Sequence, residues 1–227
     1  MQTLIAEDLL LLLLDDDAGT LKHSDKIQPL LGGALLIELA LAERIEVAEK
    51  TSRWFTPKVA LVDGPAVDEP LLDAAIGTIG EKPRSAQDLV NRLDKGAKDT
   101  LLARLADRGL VRPVQGKALG LLPRTTWPAT DRTHETAVRE RLQGALVEGL
   151  TPDARTSALV ALLFAVGHAH KVVDRGDRPA REAKARAKEI SDGAWAAKAV
   201  KDAVAAAQAA VTAAVVASTT AAATAGS

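Results

Sequence analysis

The sequence predicts a mainly α-helical protein, a helical bundle around a central hydrophobic helix, with a projecting β-hairpin and minor short strands. Residues 30–42 contain one charged residue, Glu38, and their apolar side chains surround a helix on every side, so other helices must cover it. Aromatic residues make up 2% of the chain, which leaves a core of Leu, Ala and Val and favours helices. A second, nearly apolar stretch, Ala158–Val166, predicts another deeply buried helix.

The central helix carries two features that need a physical reason. Pro29 suits its first turn, where the missing N–H is not needed. Gly32 and Gly33 each cost roughly 1 kcal/mol of helix propensity against Ala, which indicates close backbone approach by a neighbour or a ligand. A buried carboxylate must be paired or protonated, so we expect Glu38 to be a structural partner for an Arg or a backbone amide.

Apolar periodicity and capping residues place the other elements. Residues 1–190 are predicted to form a single helical domain, and residues 191–227 an Ala-rich C-terminal helix with a frayed tail. Short strands are expected at 45–49 and 59–62, and a hairpin turn at 113–117. The remaining predicted helices are Ala6–Leu14, Glu69–Ile79, a helix capped by Ser85, Ala97–Arg108, Thr133–Glu148 and Ala194–Thr219.

Composition and motifs exclude several functional classes. The chain has no cysteine, which excludes disulfides, thiolate catalysis and cysteine-based zinc sites. It has no nucleotide-binding or nucleophile-elbow motif, and we expect no catalytic group, no cofactor and no metal site. His168 and His170 are two apart on a predicted helix and face different directions. The acidic residues around Leu9–Leu14 argue against a secretory signal.

One local pattern favours nucleic-acid binding as the alternative function. Two short helices followed by a hairpin resemble a winged helix, with Ala97–Arg108 as the recognition helix and Val114–Leu122 as the wing. Acidic residues in the same segment favour a solvated face of mixed charge instead. An enzyme without a recognisable constellation ranks third. The contacts to DNA would be Lys95, Lys98, Arg104, Arg108, Arg112 and Lys117.

Four blocks of sequence then carry a resemblance that covers most of the chain, from about Thr3 to about Val173. They are EDLLLLLLDDDAGTL, LLGGALLIELALAERIEV, LLDAAIGTIGEK and LLARLADRGLV, the last followed by the hairpin and PRTTWP. In this order they resemble the Golgi phosphoprotein 3 family, and GALLIELALAERI is the most specific block. The Ala-rich, Cys-free composition suits a bacterial, actinobacterial member of high genomic GC.

The resemblance implies a non-enzymatic, cytoplasmic adaptor, peripheral to the membrane, that binds phosphatidylinositol 4-phosphate. Eukaryotic members also engage the cytoplasmic tails of glycosyltransferases, whereas the protein cargo of this chain is not evident. The family's lipid-contacting Trp falls at His23, its Arg falls at Gly32, and its basic pair falls at Lys95 and Lys98. Amides near Gly32 and Gly33 are expected to add anion binding at a helix N-terminus.

The hairpin separates the lipid-binding prediction from the DNA-binding one. A DNA-reading wing should carry cations towards phosphates, yet this segment has a single Lys, Lys117, followed by Leu119, Leu121 and Leu122. Exposed leucines suit a membrane interface or a partner subunit. We therefore expect an anionic phospholipid of the phosphoinositide type as the partner, a homo-oligomer through the hairpin, and no nucleic acid.

Overall fold

The computed structural model describes residues 3–47, 58–118, 122–193 and 198–224, and it confirms the mainly α-helical fold. Short antiparallel strands form two small sheets, ordered β1-β2-β3 and β4-β5. The helices are α1 (Ile5–Leu13), α2 (Ile27–Leu41), α3 (Pro70–Ile79), α4 (Ala86–Leu93), α5 (Ala97–Asp107), α6 (Thr133–Leu146), α7 (Ala154–Ala165), α8 (Ala180–Asp192) and α9 (Lys198–Thr224). The strands are β1 (Ile45–Val47), β2 (Lys58–Leu61), β3 (Arg84–Ser85), β4 (Val114–Ala118) and β5 (Leu122–Thr126).

Helix α2 is the centre of the bundle, as predicted. Helices α1, α4, α5, α7 and α9 all pack against it, and its side chains from Leu30 to Ala40 are buried. It begins at Ile27, a few residues before the predicted start, because Ile27 is itself buried against the core. The apolar circumference of the helix therefore dictates its place in the fold.

The two glycines of α2 mark the close approach of two neighbouring helices. A Cβ atom on Gly32 would lie 2.3 Å from the carbonyl oxygen of Val90 in α4. One on Gly33 would lie 2.8 Å from a methyl group of Val211 in α9. The predicted close approach is thus made by protein neighbours, and no side chain larger than hydrogen fits at Gly32 without moving the backbone of α4.

The C-terminal helix α9 belongs to the packing around the centre. Its buried residues Val204, Ala207 and Val211 recur every three or four positions and form one face towards α2, α4 and α7. The helix continues to Thr224, beyond the predicted Thr219. The division of the chain after residue 190 stays a prediction. None of the described helices has the length and apolar character needed to cross a membrane.

The hairpin is displaced along the chain from its predicted place. Residues 113–117 were expected to form the turn, but residues 114–117 belong to β4, which pairs with β5 from Val114 opposite Thr126 to Ala118 opposite Leu122. The turn prediction was wrong because Pro113 and Gly116 were read as breakers. Both strands of a two-stranded ribbon are edge strands, where proline and glycine are tolerated.

Candidate functional site

The interior contains charged residues, and each buried one among the described residues has a partner. Glu7 in α1 is fully buried and contacts Arg104 at 3.1 Å and Arg108 at 3.5 Å. Arg104 also makes two hydrogen bonds to the carboxylate of Glu69, at 2.7 and 2.8 Å. Arg104 and Arg108, which a recognition helix would have aimed at DNA, are therefore partly buried and paired with carboxylates.

Glu38 has the structural role that was predicted for it. Its carboxylate accepts hydrogen bonds from Arg155 at 2.8 Å and from the backbone amide of Ile5 at 2.6 Å. Burial raises the pKa of Glu38, while the positive charge of Arg155 opposes that change. Arg155 also lies 3.5 Å from Asp8, which is 2.7 Å from His134. This network joins α1, α2, α6 and α7.

The surface holds a different arrangement around His23. This residue lies in the turn before α2 with φ of 55°, a left-handed conformation that is uncommon for side chains other than glycine. Its Nε2 atom is 2.8 Å from Nδ1 of His168, and the two rings meet edge to face with centroids 4.8 Å apart. His168 follows α7 and is 6% exposed. The turn before α2 and the segment after α7 are thus in contact through two imidazole rings.

Three lysines lie near enough to this histidine pair for their charges to act on it. We name Lys22, His23, Lys26, His168 and Lys171 the cationic cluster. Burial lowers the pKa of His23, and the charges of Lys26 and Lys171 lower it further. Burial also lowers the pKa of His168, to about 4, with further contributions from His23, Lys171 and Lys22. The cluster is therefore a region of positive potential in which a neutral histidine pair is stable near neutral pH.

The lysines of the cluster form no ion pair with a carboxylate among the described residues, although the charge of Lys22 acts on Asp15. None of the ion pairs in the described part of the chain includes Lys22, Lys26 or Lys171. Asp25 is the carboxylate that acts on His23, where it raises the pKa. Within the described ranges no three His, Asp or Glu residues are grouped closely enough to hold a metal ion. The arrangement suits an anion.

The structure corrects the predicted geometry of Lys95 and Lys98. Lys95 is exposed in the turn between α4 and α5 rather than on a helix, since Gly96, with φ of 73°, separates it from α5. Lys98 is in the first turn of α5, 3.7 Å from the carboxylate of Asp99. Lys95 lines a cavity of about 110 Å³ bounded by α2, α3, α4 and α5, and this cavity does not include His23.

Gly32 and Gly33 cannot contact a head group. Both are buried inside α2, beyond its first turn, and α4 and α9 cover them. Amides this far inside a helix bond to the carbonyl four residues before, so they are not the free donors of a helix N-terminus. The prediction of an anion site at these glycines was wrong, because the helix starts earlier than the proline suggested.

The hairpin residues are described only in part. Lys117 is exposed on β4 opposite Pro123. Leu122 begins β5, whereas Leu119 and Leu121 lie outside the described residues. The role of these leucines in membrane contact or self-association stays a prediction.

Sequence reasoning missed Lys22, Lys26, His168 and Lys171 as members of the cluster. His168 was considered only as a metal ligand together with His170. It lies 145 residues from His23 in the chain, so no local spacing points to their contact. The only available signal was the density of His and Lys at residues 168–171, which is weak without knowledge of what faces it.

Comparison with known proteins agrees with the fold. The family model described as Golgi phosphoprotein 3 (GPP34) matches residues 5–207. The chain is also similar to vacuolar protein sorting-associated protein 74 of Eremothecium gossypii, with 28% identity over 162 residues, 63% of this chain and 49% of the relative. The chain thus spans about half the length of this curated relative. Because the family model extends from α1 into α9, this chain belongs to the Golgi phosphoprotein 3 family.

Proposed function

We propose that this protein is a non-enzymatic adaptor, peripheral to a membrane, that binds anionic phospholipid head groups of the phosphoinositide type. The observation that carries the proposal is the cationic cluster, in which the charges of Lys22, Lys26 and Lys171 act on the histidine pair while none of the three forms an ion pair in the described part of the chain. The name of the Eremothecium relative associates that protein with protein sorting, which fits an adaptor.

The charge of the cluster is large enough to matter for membrane binding. A Lys or Arg close to an anionic bilayer contributes about 1 kcal/mol. Three lysines would therefore contribute about 3 kcal/mol, which corresponds to roughly a hundredfold in affinity. The protein as a whole has a net charge of −1, so this attraction depends on where the cations lie and not on the total charge.

Lys95 and Lys98 remain proposed head-group contacts in addition to the cluster. Lys95 is exposed and has no ion pair among the described residues, whereas Lys98 is close to Asp99. Gly32, which the resemblance aligns with the family's Arg, has no side chain to contact a head group, and a Cβ atom there would lie 2.3 Å from the carbonyl oxygen of Val90 in α4. The proposed binding surface therefore consists of two groups of side chains: His23 with the lysines of the cluster, and Lys95 with Lys98.

Co-sedimentation with vesicles tests the proposal. The triple variant Lys22→Gln, Lys26→Gln, Lys171→Gln should lose most of its binding to vesicles that contain phosphatidylinositol 4-phosphate, while its circular dichroism stays unchanged. Added salt should weaken binding of the unaltered protein, because screening shortens the reach of exposed charges. The double variant Lys95→Ala, Lys98→Ala should show a smaller loss.

A matched control variant distinguishes the effect on binding of charge at the cluster from the effect of net charge. Lys58, Lys82 and Lys188 are exposed and lie on other elements, and their replacement by Gln changes the net charge by the same amount. This control triple should bind vesicles nearly as well as the unaltered protein. Equal losses in both triple variants would show that only total charge matters and would remove the cluster as the binding surface.

The hairpin is a second part of the same proposal and has its own test. We propose that Leu119 and Leu121 contact the membrane or a second copy of the chain, so Leu119→Asp with Leu121→Asp should reduce vesicle flotation or apparent mass in light scattering. Lys117→Ala is the comparison variant. A drop in duplex DNA binding by Lys117→Ala, with no effect of the leucine changes, would favour the nucleic-acid alternative.

A further inference from the structure

A small cavity lies between the end of α6 and the start of α8, and none of the residues of the cationic cluster lines it. Its volume is about 200 Å³, and its charged lining residues are Arg175, Arg178, Glu182 and Arg186. Pockets for drug-sized ligands have volumes of about 300–1,000 Å³, so this cavity has room for a smaller molecule. Three arginines around so small a space need a physical reason.

Backbone carbonyl groups hold the three guanidinium groups in place. Arg175 donates from Nε to the carbonyl oxygen of His170 at 3.1 Å and from Nη1 to that of Arg178 at 2.9 Å. Arg178 donates from Nη1 to the carbonyl oxygen of Val147, which follows α6. Arg186 donates to two further carbonyl groups, at and after the end of α6. Because these side chains are already ordered, the binding of a ligand costs little additional side-chain entropy.

The carbonyl groups leave several donors of these arginines unused. Nη2 of Arg175 and both Nε and Nη2 of Arg178 have no hydrogen-bond partner among the described residues. Arg175, Arg178 and Glu182 form no ion pair in the part of the chain that the structure describes. Arg186 is paired, at 2.9 Å from Glu189. Two ordered guanidinium groups therefore keep N–H donors available beside the cavity.

The charges around the cavity favour an anion. Three cations face one carboxylate, that of Glu182. The cavity also borders the first turns of α8, whose N-terminal end carries a partial positive charge, and Pro179 at the N-cap has no side-chain hydrogen bond to the first amides. The C-terminal end of α6 has the opposite partial charge, but the arginines that donate to its carbonyl groups offset it. The cavity is therefore a place where an anion gains electrostatic attraction.

We propose that this cavity is a binding site for a small, soluble dianion with phosphate or carboxylate oxygens. The unused N–H groups of Arg175 and Arg178 donate to the oxygens of the anion, because a planar guanidinium group matches the spacing of two such oxygens. Glu182 opposes binding and limits the affinity. The site shares no residue with the proposed membrane surface, so it does not depend on the proposed lipid function.

Titration calorimetry measures the binding directly. The full chain is titrated at mildly alkaline pH with inorganic phosphate and, in a second experiment, with succinate, while sodium chloride keeps the ionic strength constant. We expect saturable binding of one anion per chain. Binding of only one of the two anions supports the proposal and identifies the group that the site prefers. Absence of saturable binding of both anions at millimolar concentrations would overturn it.

The variant Glu182→Gln tests the position of the anion without removing a contact of the fold, because the Glu182 side chain forms no ion pair among the described residues. Loss of its charge should strengthen the binding of the anion by about two- to fivefold. A purely structural role of the arginines predicts no such gain. The control Glu81→Gln changes the net charge equally at an exposed position outside the cavity and should leave the dissociation constant unchanged. No gain in Glu182→Gln, or an equal gain in both variants, would contradict the site.

The variant Arg178→Gln tests the donors. Loss of hydrogen bonds from a charged group should weaken the binding of the anion by about tenfold or more. Arg181→Gln is the control, because Arg181 is exposed in the first turn of α8 and does not line the cavity. It should bind the anion nearly as well as the unaltered protein, and circular dichroism checks the fold of both variants. Similar losses in the two variants would refute the assignment, and Glu182→Gln decides the question if Arg178→Gln does not fold.

Vesicle binding separates this site from the proposed lipid surface. Arg178→Gln should bind anionic vesicles as the unaltered protein does. The triple variant Lys22→Gln, Lys26→Gln, Lys171→Gln should bind inorganic phosphate as the unaltered protein does. Loss of phosphate binding in the triple variant, with none in Arg178→Gln, would assign the phosphate to the cationic cluster and overturn the inference. Absence of binding to all anionic vesicles, with phosphate binding retained, would refute the lipid function and support the cavity as a separate site.

Discussion

The acidic residues of α1 and the cationic cluster differ in whether the protein pairs their charges with opposite charges. Glu7 and Asp8 are adjacent, almost fully buried and each in contact with cationic or titratable partners such as Arg104 and Arg155. The three lysines of the cluster instead form no ion pair in the described part of the chain. A charge without an oppositely charged partner costs much free energy in the interior and little in water. Only the buried carboxylates therefore require partners.

The same difference separates stability from binding. A buried ion pair holds elements together once folded, although the desolvation of its charges offsets much of its attraction. An exposed, uncompensated cation contributes little to stability and keeps its charge available for a ligand. We therefore expect changes in the network of α1 to affect unfolding, and changes in the cluster to affect binding.

The largest expected effect comes from breaking the buried network. Arg155→Met should lower the free energy of unfolding by about 3–5 kcal/mol, because Glu38 and Asp8 lose their shared cation. Chemical denaturation followed by circular dichroism measures it. The control is Arg92→Met, whose partner Asp88 is exposed, with an expected loss of about 1 kcal/mol or less. Equal losses would contradict the comparison.

Acid should destabilise the protein through His168. Its pKa is lowered to about 4 in the folded state, so the unfolded chain binds more protons between pH 6.5 and about 4. Stability is complete above this window and falls as pH decreases through it, by on the order of 3 kcal/mol. His168→Gln should flatten this part of the stability profile, measured by denaturation at several pH values without phosphate. A profile that is unchanged in the variant would assign the acid sensitivity to other groups.

Packing around the central helix predicts a smaller effect. Gly32→Ala places a Cβ atom 2.3 Å from the Val90 carbonyl oxygen, and overpacking of this kind costs about 1–3 kcal/mol. Gly77 in α3 has nothing within 4 Å of its Cβ position, so Gly77→Ala should raise stability by roughly 1 kcal/mol. Melting temperatures of the two variants should shift in opposite directions. A tolerated alanine at Gly32 would argue against the close contact of α2 and α4.

The smallest effect distinguishes a paired from an unpaired cation on the surface. Lys95→Gln should weaken binding to anionic vesicles by about 1 kcal/mol, roughly fivefold. Lys98→Gln should weaken it less, because Asp99 already lies 3.7 Å from the Lys98 ammonium and offsets its charge. Titration with vesicles at low salt compares the two. A larger loss for Lys98 would mean that the pairing with Asp99 is broken on binding.

Local signals were sufficient for several elements. Ser85 and Asp153 accept hydrogen bonds from backbone amides at the starts of α4 and α7, as capping residues are expected to do. The strands predicted near Ile45 and Val59 are present as β1 and β2, which pair with each other. The hairpin turn was misplaced, because proline and glycine are tolerated on edge strands and do not mark a turn there.

The sequence by itself determined the central helix and the need of Glu38 for a partner. Both follow from the free energy of transfer from water, which depends on residue type and local periodicity. Only the tertiary structure decided which arginine meets Glu38, which helix covers Gly32, and that His23 meets His168. These contacts join residues far apart in the chain, and the packing of whole helices, rather than any local pattern, brings them together.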